Sequence, residues 1–443
     1  MPRAATLFVL ALSLPAAALA QDAAEVDFVL RGTEVPFDEP VAAVEPAATT
    51  PPATPPRRPP TPRDDEEDPF AAPGVALGSF VLRSTIDIGV TASDNIHLSR
   101  LKQSAVGWLV APDIDLRSDW QRHEIAFELR GTALFYDDEG LNELDGEARL
   151  SGRYDITDGS AIDAAIGAFS GTDDFTDPDL PQGAAERPAF RGLTAELGAS
   201  HTLGRIGLRL AGGAERIEYE DVPLVGGGTA GLDDRNNTEV GLRLRASYRA
   251  SEALQPFVEA AVGRVDYDRT VDTAGFRRSG DWRELTGGLV FDLGPKLSGE
   301  VAAGYRSEQA DDPRLEPLDG IVASAALLWS PRRLTDVRLE LSTETARSTL
   351  PGVAGSHIRS ALVAVERRIR DDLELEAGLF FSRESFVGLD LTEDTLGGYA
   401  EIAYHLNRYA SLVGRYEYER LDSSALANPV AENVASVRVR LRR

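Results

Sequence analysis

The chain has 443 residues and sets 72 Asp plus Glu against 46 Lys plus Arg, a formal net charge of −26. That acid excess argues against a phosphate-binding surface, and so against nucleic acid as a partner. There is no cysteine, which excludes disulfides, thiolate metal sites and cysteine nucleophiles.

Residues 1–20 read MPRAATLFVLALSLPAAALA. Arg3 gives a positive start, Ala4 to Leu14 form a short apolar stretch, and Ala18-Leu19-Ala20 is a small-x-small step before Gln21. This is the pattern of a cleaved secretory signal peptide, and the stretch is short for a membrane anchor. Twelve of the 26 prolines fall between Pro36 and Pro73. Such a segment has little to bury, so residues 21–78 are expected to be a Pro-rich, disordered periplasmic tail. Asp27 to Val41 is more apolar and could serve as a docking peptide, so a periplasmic partner for the tail is a further expectation.

From about Ser79 to the last residue, apolar side chains recur at every second position for roughly ten residues, then break, then recur. Phe80, Leu82, Ile86, Ile88 and Val90 share one face of the first such segment, and Arg83, Thr85, Asp87 and Thr91 share the other. A helix would scatter these residues around its circumference. The count reaches eighteen segments. Short connections such as Asp158-Gly159, Gly294-Pro295 and Asn407-Arg408 alternate with long ones such as 171–189, 221–236 and 268–281. Strict short–long alternation is the signature of an outer-membrane barrel, with short turns in the periplasm and long loops outside. The expected fold is all-β: a transmembrane antiparallel β-barrel of about 18 strands over residues 79–443. Pro112 interrupts the second segment, and a bulge is expected within 256–267, where the apolar face switches between Val262 and Val265.

The polar faces carry charges of both signs. They comprise Arg83, then Glu128 and Arg130, Arg149 and Arg153, Arg243 and Arg245, Glu300, Arg338 and Glu340, Glu374 and Glu376, and finally Arg438 and Arg440. A sealed core could not hold them, whereas a water-lined lumen could, and this many strands leave room for one. These residues are therefore the candidate lumen lining. Phe135, Tyr136, Tyr154, Tyr219, Tyr248, Tyr267, Tyr305, Trp329 and Tyr404 fall near segment ends, where interfacial girdles lie.

With this topology and the step Asp94-Asn95-Ile96 after the first strand, the region 79–443 resembles the outer-membrane β-barrel porin families of proteobacteria, whose members are mostly uncharacterised. The resemblance implies a porin-like channel for small solutes. Its alternative is an outer-membrane component of exopolysaccharide or surface-polymer export. It also implies outer-membrane lipid, lipopolysaccharide and the barrel-assembly machinery as partners. Barrels of this kind commonly end in an aromatic residue that the machinery reads, and this chain departs from that with Arg442-Arg443. An outer-membrane enzyme is a third reading, but the sequence shows no polar cluster at a rim. His97, His123, His201, His357 and His405 lie at no metal-ligand spacing. Asp173, Asp174, Asp177 and Asp179 crowd one loop without an ion-binding pattern. No catalytic, cofactor-binding or metal residue is expected, and no cofactor.

Deleting residues 36–73, with 1–20 retained, is expected to leave a folded, heat-modifiable species on cold electrophoresis. Loss of that species would make the tail part of the fold.

Overall fold

The computed structural model describes residue 70 and residues 74–181, 183–426 and 428–443; the expected signal peptide and nearly all of the tail lie outside the described residues. Eighteen long strands follow one another. They are β1 Phe80–Ser93, β2 Ala105–Ser118, β3 Glu124–Tyr136, β4 Glu143–Thr157, β5 Ser160–Thr172 and β6 Ala189–Leu203. Next come β7 Ile206–Tyr219, β8 Asn237–Tyr248, β9 Leu254–Tyr267, β10 Gly280–Asp292, β11 Leu297–Ala310 and β12 Leu318–Arg332. The last are β13 Thr335–Arg347, β14 Gly355–Arg370, β15 Leu373–Phe386, β16 Thr392–Asn407, β17 Ala410–Ser423 and β18 Val430–Arg442. Among the described residues no helix is long and apolar enough to cross a membrane, which says nothing about strands.

Each strand pairs antiparallel with the next, and β18 returns to β1 from Thr85↔Arg442 to Ser93↔Val434. This last ladder closes the strand order into a barrel, as a sheet in lipid requires. Two-residue turns link β4 to β5, β6 to β7, β12 to β13, β14 to β15 and β16 to β17. Gly204, with φ +60°, supplies the left-handed position of the β6–β7 turn. The long loops all leave from the opposite rim. Both ends of the barrel strand set sit at the short-turn rim, where Phe70 stacks on His405 with ring centres 5.4 Å apart.

Alternation sorts the side chains. On β1, Ile88 and Val90 are more than 40% exposed on the outside, whereas Asp87 and Thr91 are under 5% exposed on the inside. Leu379 and Ile321 stand outward on β15 and β12, both 71% exposed. A bilayer would cover this apolar exterior. Toward the long-loop rim the exterior turns charged. Arg264 pairs with Asp311 at 2.8 Å and Asp281 at 3.2 Å, and Arg216 with Asp268 at 2.5 Å. Strands of 12 to 16 residues are longer than a membrane needs, and these pairs mark the part that projects beyond it.

Phe135, Tyr154, Tyr248, Tyr305, Trp329 and Tyr404 point outward as a girdle requires. Tyr219 and Tyr267 do not, because alternation turns them inward with Glu215 and Val265 on their own strands. Tyr136 falls on the inward set of β3 in the same way. The bulge expected in 256–267 is absent: the ladders of β9 run unbroken on both sides. Val262 faces out and Val265, 1% exposed, faces in, so an apolar side chain on the inner face mimicked a change of face. Pro112 acts as expected, since the β2–β3 ladder skips from Val110↔Ala133 to Asp113↔Arg130.

Leu379 lies six residues above the Leu373↔Tyr404 pair, near the middle of the apolar band. Leu379→Arg is expected to cost about 2–4 kcal/mol in denaturant unfolding from lipid vesicles, well beyond Leu379→Ala. Equal loss for the two variants would contradict a lipid-facing exterior.

Candidate functional site

All fourteen residues expected to line the lumen fall on the inward face, but they do not stand free in water. Arg83, at the short-turn rim, is exposed. Arg130 meets Asp113 at 3.3 Å and Glu128 accepts from Arg117 at 2.7 Å. Arg149 reaches Glu196 at 3.5 Å, and Arg153 pairs with Asp155 at 2.9 Å. Arg243 bonds Glu259 at 2.6 Å, while Arg245 reaches past two strands to Glu300 at 2.8 Å. Arg338 lies 3.3 Å from Glu340 and 3.8 Å from Glu376. Glu374 holds Arg368 at 2.9 Å and His405 at 3.0 Å. Arg438 and Arg440 both bind Asp87, at 2.9 and 3.0 Å, and Arg438 also binds Glu401 at 2.6 Å. Arg438 and Arg440 of the last strand are therefore met by carboxylates of nearby strands.

The inner wall is correspondingly crowded. Arg306 is 1%, Arg438 2%, Glu239 3% and Arg338 4% exposed. A water-lined lumen was expected, and along its wall many inward side chains bury one another. The reason is electrostatic. Inward charges of opposite sign gain more by meeting across neighbouring and next-neighbouring strands than by facing a wide gap, provided the wall curves to bring them together. Arg347 shows the extreme: from β13 it reaches Glu239 on β8 at 2.7 Å and Glu308 on β11 at 2.5 Å.

The long-loop rim is also covered. The β5–β6 loop, 173–188, folds across the mouth. Its Asp179 accepts hydrogen bonds from the Thr349 backbone N–H and the Ser348 hydroxyl, both at 3.0 Å. Those residues belong to the β13–β14 loop, eight strands away around an eighteen-strand wall, so two loops from distant parts of the wall meet over the mouth. Two arginines pin this lid, and a third, Arg278, holds the β13–β14 loop that the lid meets. Arg187, 2% exposed at its side chain, sits 3.1 Å from Glu143 and stacks over Phe175, which His97 also meets at 4.5 Å. Arg235 binds Asp173 at 2.6 Å and lies 4.0 Å over the Tyr219 ring. Arg278 binds Asp272 at 2.6 Å and donates to the Val353 and Leu350 carbonyls at 2.6 and 2.8 Å. The step Asp94-Asn95-Ile96 joins the same assembly. Asn95, fully buried, donates to the Ala431 carbonyl at 2.9 Å, and Asp94 accepts from the Asn433 backbone at 2.8 Å, so the motif ties the first loop to β18 across the closure.

Asp87, Glu259, Glu401, Arg306, Arg347 and Arg415 are inner-wall residues absent from the expected lining. Most share the same two-residue alternation and were recoverable from it; Arg347 was not, because by parity it belongs with outward Leu339 and Leu341, yet it meets Glu239 and Glu308. Among the described residues no three carboxylates or imidazoles converge as a metal site would need. The arrangement binds charge to charge along the inner wall.

The sequence matches the family described as Putative beta-barrel porin 2 over residues 68–443. No curated protein matches it. Among solved structures it is similar to the copper transporter OprC, with TM-score 0.46 and 9% identity, over 83% of this chain and 81% of that one. It is also similar to OccK2 (OpdF) of Pseudomonas aeruginosa, solved in complex with glucuronate, with TM-score 0.45 and 13% identity, over 83% and 99% of the two chains. For OccK3 (OpdO) of Pseudomonas aeruginosa the values are 0.40 and 14%, over 82% and 96%.

The lid has a titratable anchor. Burial pushes the Asp173 carboxyl up to about 7; the Arg235 guanidinium opposes this, and Asp177 and Asp179 add to it. An acid with a raised native pKa holds its extra proton in the folded state, so its contribution is full below about 4 and is lost as pH climbs toward 7. The lid should therefore loosen with rising pH. Single-channel conductance is expected to be several-fold higher at about pH 8 than at about pH 5, and Asp173→Asn should lose this pH step. A flat wild-type profile, or a pH step retained in Asp173→Asn, would contradict this.

Proposed function

Because the chain belongs to the Putative beta-barrel porin 2 family, we propose that it is an outer-membrane channel for small hydrophilic solutes whose lumen rests in a closed state. The observation that carries this reading is the pairing of an apolar exterior with an interior lined by Arg–carboxylate pairs from rim to rim. An interior meant only to be stable would be apolar, because a paired buried charge rarely improves on a packed hydrocarbon. A charged interior is useful where water and solutes must pass once the pairs rearrange. In this reading each inward arginine can exchange its carboxylate partner for an anionic group, and each carboxylate can exchange its arginine for a cation, so solutes are passed along the wall. The residues bind and release, and none needs a catalytic role. The long loops face the outside, and outer-membrane lipid and lipopolysaccharide surround the exterior.

The test is conductance of the reconstituted protein. The wild type is expected to give brief, small openings. A variant in which 175–186 is replaced by a short Gly-Ser link, leaving both ends of the lid, should open to long-lived and several-fold larger levels. A correctly folded lid-deleted barrel that never conducts would overturn the channel reading.

A further inference from the structure

The wall is not uniformly zipped. The β12–β13 ladder contains seven register pairs and stops at Ser324↔Ser342, whereas β11–β12 has twelve pairs and β13–β14 thirteen. Beyond that point β12 continues to Leu318 and β13 to Arg347 without pairing to each other. Trp329 marks the short-turn side of the apolar band. Five residues from Trp329 to Ser324 climb ~17 Å along the strand, or ~13 Å of height at the usual tilt, which places the parting near mid-membrane. It extends toward Ile321 and Tyr305, which pair with each other on the outward face. The unzipped stretch thus faces the outer leaflet.

Three features make it a window. A small cavity of about 30 Å³ sits at the parting, lined by Glu284, Thr286, Ala302, Val322, Ser324 and Ser342 of the inward set and by Ala323 and Thr343 of the outward set. Above it the wall closes again: a Cβ added to Gly320 on β12 would stand 2.9 Å from the His357 ring of β14. The end of β13 is held inside the lumen by Arg347, through Glu239 and Glu308. Unpaired strand edges are costly in hydrocarbon and are tolerated only where they meet water or protein.

We propose that this parting is a lateral port, through which an amphipathic molecule with a single apolar chain and a small polar end moves between the lumen and the outer leaflet. The exposed Ile321, Tyr305 and Leu341 outside suit the chain, and Glu284, Thr286 and the two serines inside suit the polar end. Arg347 is the latch. While it holds Glu239 and Glu308 the axial path is crossed and the wall is parted. When it releases, β13 can zip onto β12, which seals the wall. The port concerns the wall and does not rest on axial conduction.

The chain lacks cysteine, so a single one can report access. Ser324→Cys at the port and Ser382→Cys, in the same Ser324–Ser342–Ser360–Ser382 register row but behind unbroken ladders, are compared in phosphatidylcholine vesicles. The probe is N-dodecylmaleimide, with each rate normalised to that of a charged, water-confined maleimide. Ser324→Cys is expected to label at least about tenfold faster, a difference of one decade in rate. Adding Arg347→Ala, or Glu239→Gln if that variant fails to fold, should reduce the rate to that of Ser382→Cys. Equal normalised rates would overturn the port, and fast labelling unchanged by both latch variants would overturn the latch.

Discussion

A backbone N–H or C=O without a partner cannot be left in hydrocarbon, and the architecture follows from that constraint. It requires the sheet to close, and the β18–β1 ladder closes it. Closure divides every strand into a lipid face and a lumen face, and the two-residue period decides which side chain goes where. Leu379 and Phe380 are adjacent, yet one is 71% exposed to the outside and the other 4% exposed within.

The second consequence is electrostatic. A chain that places apolar residues outward has only the interior left for most of its membrane-level charge. Arginine predominates there because its planar fork can satisfy two carboxylates at once, as Arg438 does with Asp87 and Glu401. Removing one member of such a set would leave a buried charge unmet, which is far costlier than losing an exposed pair such as Arg264–Asp266. The lid extends the same chemistry beyond the membrane, with Arg187, Arg235 and Arg278 each drawing backbone or acid groups from a different loop.

The fold and the face that each side chain takes were legible in the sequence because both depend on period two. Strand number, turn alternation and the inward placement of Glu300, Arg338 and Glu376 need only local parity. What was not legible depends on distance around the barrel. The contact of Asp179 with Thr349 joins residues 170 apart, and nothing local to either reports the other. The same holds for Arg347 with Glu239. The acidic loop was visible as four aspartates, but its inward fold was not, because the Arg235 that anchors it lies in another loop. Val265 misled for a related reason: parity read by hydrophobicity fails where an apolar side chain packs inward.

In the proposed closed state the β5–β6 lid meets the β13–β14 loop over the mouth through Asp179 and Thr349. Asp179→Cys with Thr349→Cys, in a chain that has no other cysteine, tests it most directly. The account predicts that the pair oxidises spontaneously in the folded, membrane-inserted protein, holds conductance at the closed level and releases it on reduction. If both thiols stay reactive toward a water-soluble maleimide and never cross-link, the lid does not meet that loop, and the account is contradicted.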